Sequence, residues 1–226
     1  MAGLRSVVLS LIALAVIAET SAAPLHPIEA ELRRTFPSAS LHSSAQFEAA
    51  DAFIDGRATS GLRARLARLS VLYPRSYDGL VVAEAGSQRV VLRAVAAAAA
   101  PATESSGMLV YTRPYPSTDV VEVPDGGRSE ELLLLRDEHA PLVYEYEIVA
   151  TDGVAAVTLR DGAIRFLRTR DPNDQLPVLQ IDRPWVLDAS GKKSHAQWTL
   201  IGDGAMPRAM PCSLISTWRG ACVVTS

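Results

Sequence analysis

Residues Glu131–Trp198 decide the fold: ELLLLRDEHAPLVYEYEIVATDGVAAVTLRDGAIRFLRTRDPNDQLPVLQIDRPWVLDASGKKSHAQW. Within them Leu142, Tyr144, Tyr146 and Ile148 alternate with Val143, Glu145 and Glu147, the period-two pattern of a half-buried strand. Thr151-Asp152-Gly153 turns the chain into a second run, Val154–Leu159. Asp161-Gly162 then separates that run from a third, Ala163–Thr169, and an Asp-Gly pair between alternating segments is a strong hairpin signal. An antiparallel meander is therefore expected here. Val178–Ile181, Trp185–Leu187 and His195–Leu200 continue it. Upstream, Ser129–Leu135 holds four consecutive leucines, which implies burial on both faces.

Further back the same strand character reaches residue 77, through Leu80–Ala85, Arg89–Val95, Met108–Thr112 and Asp119–Val123. Ala96–Ala100 and the loop Pro101–Gly107 interrupt it, and Pro114 and Pro116 are expected to end the strand that precedes them. Turns are short and no helical pattern intervenes, so the expected class is mainly β: an antiparallel meander, sandwich or partly open barrel with a short N-terminal helical region. Ile28, Leu32 and Phe36, spaced four apart between Pro27 and Pro37, predict that helix. Phe47–Ile54 reads as a helical turn ending at Gly56. Gly61–Val71 fits either a helix face through Leu62, Leu66 and Leu69 or a strand, and propensity favours the helix.

Met1–Ala22 has the order of a secretory signal: Arg5, the apolar run Val7–Ala18, and small residues Thr20-Ser21-Ala22 at the processing site, with cleavage after Ala22 or Ala23. This twelve-residue run spans about 18 Å as a helix, short of the roughly 30 Å of a bilayer core. The expected organisation is a signal peptide over 1–22, a helical or loop region over 23–60, a β domain over 61–201 and an irregular tail over 202–226. The mature chain is expected to be exported, to the periplasm, cell surface or medium, with no membrane span. The net charge of −3, from 22 basic and 25 acidic residues in 226, is interspersed and gives no footprint for nucleic acid.

The runs TDVVEVPDGGRSEELLLL, LVYEYEI, GVAAVTLRDGAIRFL and LPVLQIDRPWVLDASGKKS resemble the β-rich segment that precedes repeat arrays in large exported bacterial proteins of the RHS/YD-repeat and related surface-protein type. The matching positions are Asp119, Gly126, Glu130, Gly153, Gly162, Phe166, Pro177, Pro184, Asp188 and Gly191, within residues 107 to 200 and reaching back towards 62. The resemblance implies a strand over Leu62–Val71 and an exported β module, and it carries no catalytic signature. Such segments run on through another strand pair into their repeats, whereas this sequence changes character after Ile201.

Candidate chemistry is sparse. Cys212 and Cys222, ten residues apart in an exported chain, are a candidate disulfide. His26, His42, His139 and His195 lack zinc-site spacing, and no Gly-x-Ser-x-Gly elbow is present. Asp171-Pro172-Asn173-Asp174 gathers oxygens suited to calcium, but without a closing glutamate it reads first as an Asp-Pro turn. Gly191-Lys192-Lys193-Ser194 lacks the first glycine of a phosphate loop and reads as a hairpin tip. Tyr111, Tyr115, Tyr144, Tyr146, Trp185 and Trp198 are either a sugar-stacking platform or a β core. No catalytic residue, cofactor or metal is assigned. The expected function is a non-enzymatic structural or interaction module with a protein partner or self-association. The alternative is a carbohydrate- or calcium-binding module built from Tyr115, Trp185 and the Asp171–Asp174 loop.

Overall fold

Strand-forming alternation runs through nearly the whole chain in the computed structural model, which describes residues 27–35, 45–171, 173–174, 176–188, 192–201, 210–215 and 221–225. The one helix among them is α1 (Pro27–Thr35), with Ile28 and Leu32 buried on one face as the four-residue spacing requires. Then follow β1 (Phe47–Ile54), β2 (Arg57–Arg65), β3 (Ser70–Pro74), β4 (Leu80–Ala85), β5 (Gln88–Ala94), β6 (Ala102–Ser105), β7 (Met108–Tyr115), β8 (Thr118–Asp125) and β9 (Arg128–Leu135). The second half holds β10 (Val143–Asp152), β11 (Ala156–Arg160), β12 (Ala163–Leu167), β13 (Pro177–Ile181), β14 (Trp185–Leu187), β15 (Lys193–His195), β16 (Gln197–Leu200), β17 (Met210–Ile215) and β18 (Ala221–Thr225). Among the described residues no helix is long and apolar enough to cross a membrane. The signal-like segment lies outside the described residues, as does Phe36.

The strands form antiparallel sheets that do not close into a barrel. An eight-stranded sheet has the order β1-β2-β3-β4-β5-β10-β17-β16, and a seven-stranded one β15-β14-β18-β9-β8-β7-β6. A third, β11-β12-β13, has three strands. One continuous core joins all three, running from Val71 and Tyr73 through Leu109 and Leu133 to Ile164 and Phe166. The four-leucine run is buried on both sides as expected. Leu133 faces that core, while Leu132 and Leu134 pack with Ile28 and Leu32 of α1 on the opposite face. Arg136 fastens the helix there by pairing with both Glu31 and Asp119.

Several expectations are corrected. Phe47–Ile54 is a strand, because Asp55-Gly56 is a hairpin turn with φ of 48° and 78°, so the β region starts at residue 47 and not 61. Residues 61–65 and 70–71 are strand on either side of a turn, so Leu62–Val71 is neither the helix that propensity favours nor one unbroken strand. Residues 202–226, expected to be irregular, contribute β17 and β18, which pair with β10 and β9. Within Glu131–Trp198 consecutive strands pair only in β11–β13 and β14–β15, since β9 and β10 belong to different sheets, whereas β1–β5 and β6–β9 are each meanders of consecutive strands. Ala102–Ser105 is strand and not loop, and β7 continues through Pro114 by a register shift between Tyr111 and Tyr115. There Arg113, at φ 53°, donates its backbone N–H to the Asp119 carboxylate at 2.9 Å.

The tightest backbone approach is at Gly61, which sits opposite Ala50 on one side and Pro74 on the other. A Cβ there would lie 2.3 Å from the Tyr73 carbonyl oxygen and 2.9 Å from Leu72 Cγ. Gly61→Val is therefore expected to cost about 1–3 kcal/mol through forced overpacking. Gly127→Ala, whose Cβ would meet nothing within 4 Å, is expected to stay within about 0.5 kcal/mol of the parent. Equal urea midpoints for the two variants would contradict this strand register.

Candidate functional site: an apolar cavity with a buried glutamate pair

Glu122 of β8 and Glu131 of β9 are direct cross-strand partners. Each is in phase with an inward apolar neighbour, Val120 and Leu133, so the alternation that builds the core also delivers two carboxyls into it. Glu122 is 4% exposed. Like charges facing each other away from water cannot both persist. Burial, and then the charge of Glu131, push the Glu122 carboxyl well above the usual carboxylate range, and it shares a hydrogen bond with Glu131. Burial raises Glu131 as well, against the Tyr146 hydroxyl, which donates to it and favours its charged form. Of the two, Glu122 therefore holds its proton to the higher pH.

Around the pair the sheets are cross-linked by hydroxyls. Tyr73 of β3 meets Ser129 of β9 at 2.6 Å, and Thr118 of β8 meets Tyr144 of β10 at 2.9 Å. Tyr111 of β7 donates to the Pro74 carbonyl at 2.8 Å. The rings stack in series, with Tyr77 5.2 Å from Tyr111 and 5.8 Å from Tyr115, and Tyr115 5.1 Å from Tyr144. Such edge-on contacts add to the area they bury. The Tyr77 hydroxyl lies near Glu131, yet it makes no hydrogen bond of acceptable length and angle. Between these walls lies a cavity of about 110 Å3, rimmed by the half-buried Gln180 and Ile181 of β13.

The residues singled out from sequence are placed elsewhere or differently. Tyr111, Tyr115, Tyr144 and Trp198 are buried in the core. Trp185 packs on the α1 side of its sheet, with the Lys193 ammonium 4.1 Å from its ring centroid. Tyr115 and Trp185 thus lie in separate clusters, and the arrangement needed for a sugar platform is not formed. Asp171 accepts from the backbone N–H of Asn173 at 2.8 Å and Asp174 pairs with Arg168 at 3.6 Å, the geometry of an Asx turn. Among the described residues no three His, Cys, Asp or Glu side chains gather as a metal set. His139 sits 3.0 Å from Asp137 on an exposed turn, and His195 is exposed opposite Trp185; His26 and His42 lie outside the described residues.

Lys192 closes the β14–β15 hairpin by donating its backbone N–H to Asp188 at 3.0 Å, so this segment is a hairpin tip. The backbone register sets Cys212 opposite Tyr146 in the eight-stranded sheet and Cys222 opposite Leu133 in the seven-stranded one. Sequence reading passed over Glu122, Glu131 and Tyr77. The available signal was an acidic residue in phase with the buried set of a strand, Glu131 two before Leu133.

Fold and interior together define an antiparallel β protein of stacked sheets with a small polar centre inside an apolar core. No family model matches the chain, and neither a curated protein nor a solved structure matches it.

Proposed function

We propose that the chain is an exported, non-enzymatic β domain acting as a structural or interaction module, in keeping with its resemblance to the β-rich segments of RHS/YD-repeat-type surface proteins. The observation that carries this reading is the set of cross-sheet hydroxyl bonds, Tyr73 to Ser129 and Thr118 to Tyr144. They clamp the two large sheets to each other with side chains that a catalytic site would keep available for substrate. Buried hydrogen bonds of this kind rigidify and specify a single packing. The edges of the seven-stranded sheet are short, four residues in β6 and three in β15, which suits a module that must not pair indiscriminately.

Two measurements test the reading. Melting of the purified chain is expected to be unchanged by millimolar calcium or by a panel of glycans, whereas a ligand at one hundred times its dissociation constant would add about 2.7 kcal/mol. Screens against esters, peptides and glycosides are expected to give no turnover. Hydrolysis that disappears in Glu131→Gln would overturn the proposal and make the carboxyl pair an acid–base couple.

A further inference from the structure

The cavity between the sheets holds about 110 Å3. That is comparable with an apolar cavity of about 150 Å3 that takes one benzene, so it suits a body of about four to six heavy atoms. Its walls are mostly hydrocarbon, with Leu69, Val90, Ile164 and Phe166 among them, and its polar residues include Glu122, Ser129 and Glu131 of the β8–β9 wall. Water alone is a poor filling. About three molecules at roughly 30 Å3 each would enter, and those away from the carboxyls would lack the two to four polar partners each needs. A divalent metal wants six or more oxygens, which this wall does not supply.

The charge is equally selective. With one proton between them, Glu122 and Glu131 would carry one negative charge, and no lysine or arginine is among the groups acting on either. A buried charge without a counterion is expensive, and a monocation is what would relieve it. Tyr77, 3% exposed and lining the same cavity, offers a hydroxyl with no hydrogen-bond partner. A primary ammonium has three N–H donors, and the two carboxyls and Tyr77 are three acceptors. The rings of Tyr146 and Trp198, 6.2 Å apart, line the cavity as well and would favour a cation over a neutral guest.

We propose that this cavity is a binding site for a small organic ammonium ion, its amine held by Glu131, Glu122 and Tyr77 and its hydrocarbon packed against Ile164 and Phe166. The test is calorimetric titration of the full chain with isobutylammonium chloride, with isobutanol as the neutral isostere. One-site saturable binding is expected, with isobutanol at least tenfold weaker. Glu131→Gln is expected to weaken the ammonium at least tenfold, and Ala83→Leu, which adds bulk to the cavity wall from β4 and keeps both acids in the chain, to abolish binding. Circular dichroism of each variant comes first, and if Glu131→Gln does not fold, Ala83→Leu decides alone. No saturable binding to the parent chain, isobutanol binding as tightly as the ammonium, or unchanged affinity in the folded variants overturns the proposal. None of these failures bears on the structural-module reading, which stands on the cross-sheet clamps.

Discussion

Phe166→Ala is expected to lower stability by about 3–5 kcal/mol, the cost of removing a buried phenyl and leaving its space empty. Phe166 is 1% exposed and lies on the central strand of the three-stranded sheet, opposite Val157 on one side and Leu179 on the other. It reaches past that sheet into the core shared with Tyr73, Leu133 and Tyr144. The variant therefore measures whether β11–β13 is seated in the sandwich or hangs beside it. Leu176→Ala, at a side chain 80% exposed, is the control and is expected to move stability by less than about 0.5 kcal/mol. Urea unfolding followed by tryptophan fluorescence reads both, with an unchanged denaturant slope marking a pure stability effect. A loss under about 1 kcal/mol in Phe166→Ala would mean the small sheet is not part of the core.

The same residues explain what was legible in the sequence. Asp161-Gly162 was readable because both positions take positive φ, 54° and 80°, a conformation that glycine and aspartate tolerate and that matches the twist of a hairpin. Asp55-Gly56 carries the same chemistry, yet the alanine-rich Phe47–Ile54 before it favours helix locally, so its glycine resembled a helix end. Pairing with β2 overrode that preference, as tertiary context commonly does. Leu132–Leu134 announced two buried faces directly. What covers one of them, α1 from a hundred residues earlier, is a fact of packing that periodicity does not encode. The same holds for β17 and β18. Leu214-Ile215 and Val223-Val224 are too short to signal strands until β10 and β9 offer them partners. The glutamate pair was half legible. Phase put each acid among inward residues, but only the β8–β9 register sets them face to face.

That register predicts an unusual pH dependence. Glu122 keeps its proton in the folded chain to a pH at which the unfolded chain has released it, because burial and the adjacent Glu131 charge oppose ionisation. The folded state then binds more protons than the unfolded one, so raising the pH favours unfolding between the ordinary carboxyl range and the elevated folded value. Each pH unit within that window costs up to about 1.4 kcal/mol per proton. Below the ordinary carboxyl range both states are protonated and the pair adds no further slope. Glu84 acts in the opposite sense. Burial pushes it up, but the Arg63 and Arg89 guanidiniums outweigh burial and hold it below its usual value, so its stabilisation is lost as acid protonates it. The titratable groups around the pair are tyrosines, Tyr73, Tyr77, Tyr111, Tyr115 and Tyr146, which stay neutral throughout this range. Maximum stability is therefore expected in mild acid, with a decline towards pH 8. Glu122→Gln, which keeps a donor towards Glu131 without a titrating proton, is expected to flatten the decline and to be the more stable chain at pH 8. Urea midpoints of both proteins at half-unit steps from pH 4.5 to 8 measure it. A parent chain whose stability rises with pH across that window, or a variant with the parent's slope, would show that the two carboxyls do not face each other inside the core.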